Sequence, residues 1–218
     1  MMEPGLPIRS LRSIHLEHPV KFATVRGVVF DMDGTLIDSA LDFRRIRAEA
    51  GVPDGRPILE YLETAPGDDR RRVTEVLLRH EREAAEGCTL RDGAADLIEA
   101  LAARRLKTAL LTRNSADSVV IVLERFGLRF DCWLSREHAE PKPSPQPVLK
   151  IARLLGLPPA ALLMVGDYLF DVQAGKAAGS PTAFVKNHGG IEPPKEADAV
   201  IEHLMDLLDM LPERGDAA

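Results

Sequence analysis

Residues 28–36 read Val28-Val29-Phe30-Asp31-Met32-Asp33-Gly34-Thr35-Leu36, and this stretch decides the fold. Its apolar, β-branched start has the character of a strand buried on both faces, as in a parallel sheet. The run stops at two carboxylates one residue apart, and Gly34 follows at once. Asp31 and Asp33 are therefore expected at the C-terminal end of a strand, the edge where open α/β sheets bind ligands. An Asp-x-Asp alone is common and usually a solvated turn. Here three further polar landmarks end later apolar runs.

C-terminal to residue 92, apolar runs of strand length alternate with segments of helical period. Strands are expected at 26–33, 106–112, 131–135, 161–165, 181–185 and 199–201. Between them lie helical faces. Ala94, Leu97, Ile98 and Leu101 form one, with Asp92 as its cap. Val119, Val122, Leu123 and Phe126 form another, capped by Asn114 or Ser115 and stopped by Gly127. Val148, Ile151, Ala152 and Leu155 form a third, which starts at Ser144-Pro145. Residues 171–178 and 203–211 complete the set. Repeated βα units predict an α/β fold: a doubly wound parallel sheet with helices on both faces.

Residues 39–91 differ. Apolar positions become sparse, and Arg and Glu abundant. Ile58, Leu59 and Leu62 fit one helical face, and Val73, Val76, Leu77 and Ala84 another. Gly51, Pro53, Gly55, Pro57, Pro66 and Gly67 cut the segment into short helices. The expectation is a small all-helical insertion over 39–91 that needs the main domain to bury its apolar face. The core would comprise 1–38 and 92–218. Residues 1–24 would be an irregular lead-in with a short edge strand near 20–25.

The 218 residues carry a net charge of −6, so no basic field argues for nucleic acid. An anion site would have to be built locally. Cys88 and Cys132 are the only cysteines and lack metal-like spacing, as expected of reduced thiols in a cytoplasmic protein. No apolar run reaches the roughly 20 residues of a membrane span. Arg9, Arg12 and Lys21 are compatible with an organelle transit peptide, but an irregular extension is the preferred reading.

The landmarks are Asp31 and Asp33; Thr112 with Arg113 and Asn114; Lys142; and Asp167 with Asp171. Each has a bland reading: a turn, a strand-end hydroxyl, a solvated lysine, a pair of helix caps. Together they would meet in one crevice. Asp31, Asp33 and Asp167 are hard oxygen ligands of the kind Mg²⁺ prefers. Asp171, four residues after Asp167, would face the same site on a helical turn. Such a cluster would repel itself without a cation. Lys142, Thr112 and Asn114 would then hold phosphate oxygens.

In this arrangement the sequence resembles the haloacid dehalogenase (HAD) superfamily, in the branch of phosphoglycolate phosphatase and β-phosphoglucomutase. The motifs stand in order as DMDGT at 31–35, LLTRN at 110–114, Lys142 in KPSP, and GDYLFD at 166–171. The resemblance spans about residues 26–185, with a helical insertion where that branch carries its type-1 cap. It implies that Asp31 is the nucleophile and forms an aspartyl-phosphate. Asp33 would protonate the leaving oxygen and then activate water. Asp31, the carbonyl of Asp33, Asp167 and Asp171 would hold Mg²⁺. Thr112, Asn114, Lys142 and backbone N–H groups near Met32 and Gly34 would bind the phosphoryl group.

Two departures from the branch stand out. Tyr168 is larger than expected at its position and would narrow the entrance or touch substrate. The insertion also looks shorter than the usual cap. Within it, Arg44, Arg45 or Arg47 could reach an anionic leaving group, Arg47 being the preferred one of the three; a solvated helix face is an equally good reading of each. The expected function is a Mg²⁺-dependent phosphatase for a small phosphorylated metabolite, phosphoglycolate being one candidate, acting as monomer or homodimer. A sugar phosphomutase and a catalytically silent phosphometabolite-binding protein are the alternatives. A C–halogen hydrolase is disfavoured, because halide departure needs no acid at Asp33. A phosphorylated receiver domain would be much shorter, with its acidic site placed differently.

Overall fold

All four residues of Gly27–Phe30 (β1) are buried, and the sheet extends from this strand on both sides. The structure, a computed structural model, describes residues 22–187 and 190–213. After β1 come β2 (Ile37–Asp38), α1 (Phe43–Ala50), α2 (Ile58–Thr64), α3 (Gly67–Gly87) and β3 (Thr89–Leu90). There follow α4 (Ala94–Ala103), β4 (Lys107–Leu111), α5 (Ala116–Phe126), β5 (Cys132–Leu134) and α6 (Gln146–Leu155). The chain ends with β6 (Leu162–Gly166), α7 (Leu169–Ala178), β7 (Thr182–Val185), β8 (Ala199–Ile201) and α8 (Leu207–Met210).

The main sheet has the order β5-β4-β1-β6-β7-β8 and is parallel throughout. Phe30 lies opposite Leu110 on one side and Val165 on the other. This register sets the ends of β4, β1 and β6 level. Beyond β5 the chain crosses over β1 to resume as β6, which makes the end of β1 a topological switch point. Alternation along the strands divides the core. Val28 and Phe30 pack with Leu97, Leu101 and Val119 of α4 and α5. Val29 faces the other way, toward Ile151 of α6 and Ala174 of α7. The doubly wound parallel sheet expected from the alternation is the fold that forms.

Local signals hold unevenly. Ser115 caps α5 by accepting the Ser118 N–H, and Gly127 ends that helix in the left-handed region. Asp92 does not cap α4. Gly93, with φ 78° and no side chain, takes that place, because a turn already leads the Ala94 N–H to the Arg91 carbonyl at 3.0 Å. The third helix begins at Gln146, two residues after Ser144, whose Oγ accepts the Gln146 N–H at 3.3 Å. The helix expected from Asp171 starts earlier, at Leu169. The helix expected over 203–211 divides into a 3₁₀ turn, Leu204–Asp206, and α8. Residues 22–25 form a turn closed by Val25 N–H to the Phe22 carbonyl at 3.0 Å, not an edge strand. The rest of the expected lead-in, residues 1–21, lies outside the described residues.

The antiparallel pair β2–β3 was not expected, since two residues are too few to show a period. It joins Ile37 to Leu90 and so sets the two ends of the helical segment side by side, just behind Asp33. Ile46, Ile58, Val73 and Leu77 of α1, α2 and α3 form their own apolar cluster. These helices bury apolar faces on one another, and α3 packs in addition on α5 of the main domain. Leu59, Leu62 and Val76 are only partly buried there. The far end of α3 behaves otherwise: Ala85 joins the sheet-side core. Among the described residues, no helix is long and apolar enough to cross a membrane.

Candidate active site

Because β1, β4 and β6 end level, the residues that follow them converge. Asp31 continues β1 and is fixed by its N–H bond to the Val165 carbonyl at 2.9 Å. Thr112 continues β4, bonded to the Leu134 carbonyl at 3.0 Å. Asp167 follows β6, and Asp171 stands in the first turn of α7, where its carboxylate accepts the Tyr168 N–H at 3.1 Å. Asp31, Asp167 and Asp171 are all buried, and each offers a carboxylate oxygen within 4.8 Å of the others. Gly166 is required here, because a Cβ at that position would strike the Asp171 carboxylate.

Lys142 supplies the local cation. Its Nζ lies 2.5 Å from both Asp31 Oδ1 and Asp171 Oδ1 and donates to the Leu111 carbonyl at 3.1 Å. Burial works against its charge, but Asp171 and Asp31 outweigh that cost and hold its pKa above the ordinary lysine range. Burial likewise pushes Asp31 well above the usual carboxylate range; Lys142 opposes this, and Asp171 and Asp167 add to it. Burial and the charge of Asp171 push Asp167 up to about 6. Three buried carboxylates around one ammonium leave negative charge uncompensated. This hard-oxygen donor set fits a divalent cation such as Mg²⁺.

Asp33 stands apart from the trio. One carboxylate oxygen accepts the Ser39 hydroxyl, and the other accepts Asn114 Nδ2 at 2.7 Å. Burial raises its pKa, against the pull of Ser39, Lys142 and Asn114. Both of its side-chain oxygens are thus engaged outside the Asp31–Asp167–Asp171 cluster. Gly34 also departs from expectation. Its N–H donates to the Ile37 carbonyl at 2.8 Å and is already committed. Its part is steric: φ is +75°, and a Cβ would collide with the Asp167 carboxylate.

Several contributors carried no sequence signal. Asn187 donates to Asp167, and Thr35 Oγ1 reaches it at 3.4 Å. Glu81 of α3 is buried beside the 112–115 loop. It accepts the Ser115 N–H at 3.2 Å and pairs with Arg136 at 2.5 Å. Arg136 also donates from its backbone to the Asn114 carbonyl at 3.2 Å and from its side chain to that of Arg113 at 3.2 Å. The loop that carries Thr112 and Asn114 is thereby held from the helical segment. Arg113 meets Glu60 of α2 at 2.8 Å and lies 4.8 Å from the Phe170 ring. Asn187, Glu60, Glu81 and Arg136 belong to no short motif, whereas Thr35 and Arg113 stand in those at 31–35 and 110–114; only the folded chain brings them together.

Above the acids is a pocket of about 460 Å³ between the sheet edge and α1, α2 and α3. Tyr168, as expected, stands at this pocket, edge-on to Phe170 with centroids 5.1 Å apart. Arg47 lines it too, whereas Arg44 and Arg45 are exposed at the start of α1.

A sequence profile described as haloacid dehalogenase-like hydrolase matches residues 41–179. A haloacid dehalogenase-like hydrolase domain-containing protein of Arabidopsis thaliana is 33% identical over 78% of this chain and 74% of its own length. The N-acetylmuramic acid 6-phosphate phosphatase of Pseudomonas putida is 31% identical over 84% of this chain and 94% of its own. A crystal structure of a predicted phosphoglycolate phosphatase from Haemophilus somnus superposes with TM-score 0.69 at 21% identity, covering 86% of this chain and 98% of that one. The chain belongs to the haloacid dehalogenase-like hydrolase family.

Proposed function

We propose that this hydrolase is a Mg²⁺-dependent phosphatase that cleaves a small phosphorylated metabolite through an aspartyl-phosphate on Asp31. The observation that carries the reading is the buried Asp31–Asp167–Asp171 cluster around Lys142, with Asp33 held separately beside it. The similarity to an N-acetylmuramic acid 6-phosphate phosphatase supports the same class of substrate, a phosphoric monoester.

In the first step an Asp31 carboxylate oxygen attacks phosphorus while Asp33, as the carboxylic acid, gives its proton to the departing oxygen. Burial raises the pKa of Asp33, which favours the protonated form that can serve as the acid. In the second step the Asp33 carboxylate takes a proton from water, and the resulting oxygen attacks phosphorus, releasing phosphate and restoring Asp31. Lys142, Thr112, Asn114 and the N–H near Met32 bind the phosphoryl oxygens. Asp31, Asp167, Asp171 and the Asp33 carbonyl would hold Mg²⁺. Its charge would neutralise the carboxylates and the phosphate together. Residues 39–91, carrying α1, α2 and α3, serve as the cap over the leaving group.

The test is phosphate release from a panel of phosphorylated metabolites. The expected outcome is turnover with Mg²⁺, loss on chelation and recovery on adding Mg²⁺ back. A folded protein silent on the whole panel would make it a binding protein instead. Activity indifferent to chelation would remove the metal.

A further inference from the structure

We propose that the leaving group is a ring-sized, largely apolar body bearing one carboxylate or similar anion, and that Arg47 reads that anion. The inference rests on the phosphatase reading and names its substrate class. A pocket of about 460 Å³ is within the roughly 300–1,000 Å³ of sites that enclose ring-sized ligands. A two-carbon acid on the phosphate would leave most of its wall untouched. That wall is apolar and aromatic: Phe43, Ile58 and Leu59 from the helical side, Tyr168 and Phe170 from the sheet side. Phe43 is 50% exposed and Tyr168 47%, although both are large rings with no place in the core. Aromatic walls of this kind favour a flat or ring-shaped partner.

The cations along the pocket are not equivalent. Lys142 is engaged by Asp31 and Asp171. Arg113 is engaged by Glu60, the Phe170 ring and the Lys142 carbonyl. Arg47 differs, since its Nε is shielded from solvent and has no hydrogen-bond partner. Buried donors in folded proteins are normally satisfied, so an orphan at a ligand pocket marks where a ligand acceptor belongs. A guanidinium matches a carboxylate in shape as well as charge. Arg47 therefore sets specificity at the end of the pocket formed by the helices, while Asp31 and Asp33 act at the other.

The test uses the full chain with Mg²⁺ and three alkyl phosphates: phosphoglycolate, benzyl phosphate and para-carboxybenzyl phosphate. The carboxybenzyl ester should have kcat/KM at least about tenfold above both others, the worth of one charge-assisted contact. In Arg47→Ala the ratio of carboxybenzyl to benzyl ester should fall to about 1, and Arg47→Lys should recover part of it. Equal or better use of phosphoglycolate, or an unchanged ratio in Arg47→Ala, overturns the proposal. Calorimetric binding of the carboxybenzyl ester to Asp31→Asn, with and without Arg47→Ala, reads the pocket apart from turnover. Arg47-dependent binding together with no turnover of any of the three esters by the unsubstituted protein would refute the phosphatase reading alone; no binding refutes this inference.

Discussion

The carboxyl edge of the sheet and the helical segment facing it are built on opposite principles. At the edge, Asp31, Asp33, Asp167, Asp171 and Lys142 are each held by named partners, and strand register sets the ends of β1 and β6, which carry Asp31 and Asp167, level. On the facing side, Phe43 is half exposed and Arg47 keeps an unpartnered Nε. The difference separates chemistry from recognition. Phosphoryl transfer needs fixed charge, whereas a leaving group of particular shape needs a surface still free to receive it.

If the contrast holds, substitutions at the edge should be far costlier than those across from it. The largest effect is expected for Asp31→Asn, with phosphate release reduced about 10⁴-fold or more, as for loss of a nucleophile, while the circular dichroism of the fold is retained. Asp33→Asn should lose about 10²–10⁴-fold, the range of general acid–base catalysis. Glu81→Ala tests whether the helical side holds the edge. It unpairs Arg136 and the Ser115 N–H and should cost about 3–5 kcal/mol by chemical denaturation, as for other broken buried ion pairs. Glu81→Gln should cost less, because an amide oxygen still accepts from Ser115.

A smaller effect concerns pH. Asp167 is raised to about 6 in the folded chain without metal, against about 3.9 when unfolded. Between those values the folded state keeps a proton that the unfolded state has lost, so its contribution to stability falls as pH rises through the window. A divalent cation needs Asp167 ionised. The rise in Tm on adding Mg²⁺ should therefore be larger at about pH 7.5 than at about pH 5; equal shifts would take Asp167 out of the metal set. The smallest effect is expected at Arg82, whose 3.0 Å pair with Asp117 joins side chains 55% and 71% exposed. Arg82→Ala should change stability by about 0.5 kcal/mol or less. A larger loss would mean that exposed pairs also secure the helical segment.

The same contrast explains what the sequence revealed. Asp31, Thr112 and Asp167 are legible because each ends a buried apolar run, and parallel register forces such ends together. Glu81 and Arg136 were illegible because they lie 55 residues apart and neither stands in a motif. The β2–β3 pair is too short to show alternation. Gly34 was legible as a turn, but the commitment of its N–H to Ile37 was not. Asp92 was misread as a cap because sequence rules favour a carboxylate there, whereas the preceding turn fills that need with backbone. Arg47 was separable from Arg44 and Arg45 only by preference until α1 was placed over the pocket.

The most direct measurement of the central claim is acid quenching of the enzyme during turnover, followed by peptide mapping by mass spectrometry. One phosphoryl group is expected on the peptide containing Asp31, assigned to that residue by fragmentation and absent from Asp31→Asn. A phosphoryl group on another residue, or undiminished turnover by Asp31→Asn, would contradict it.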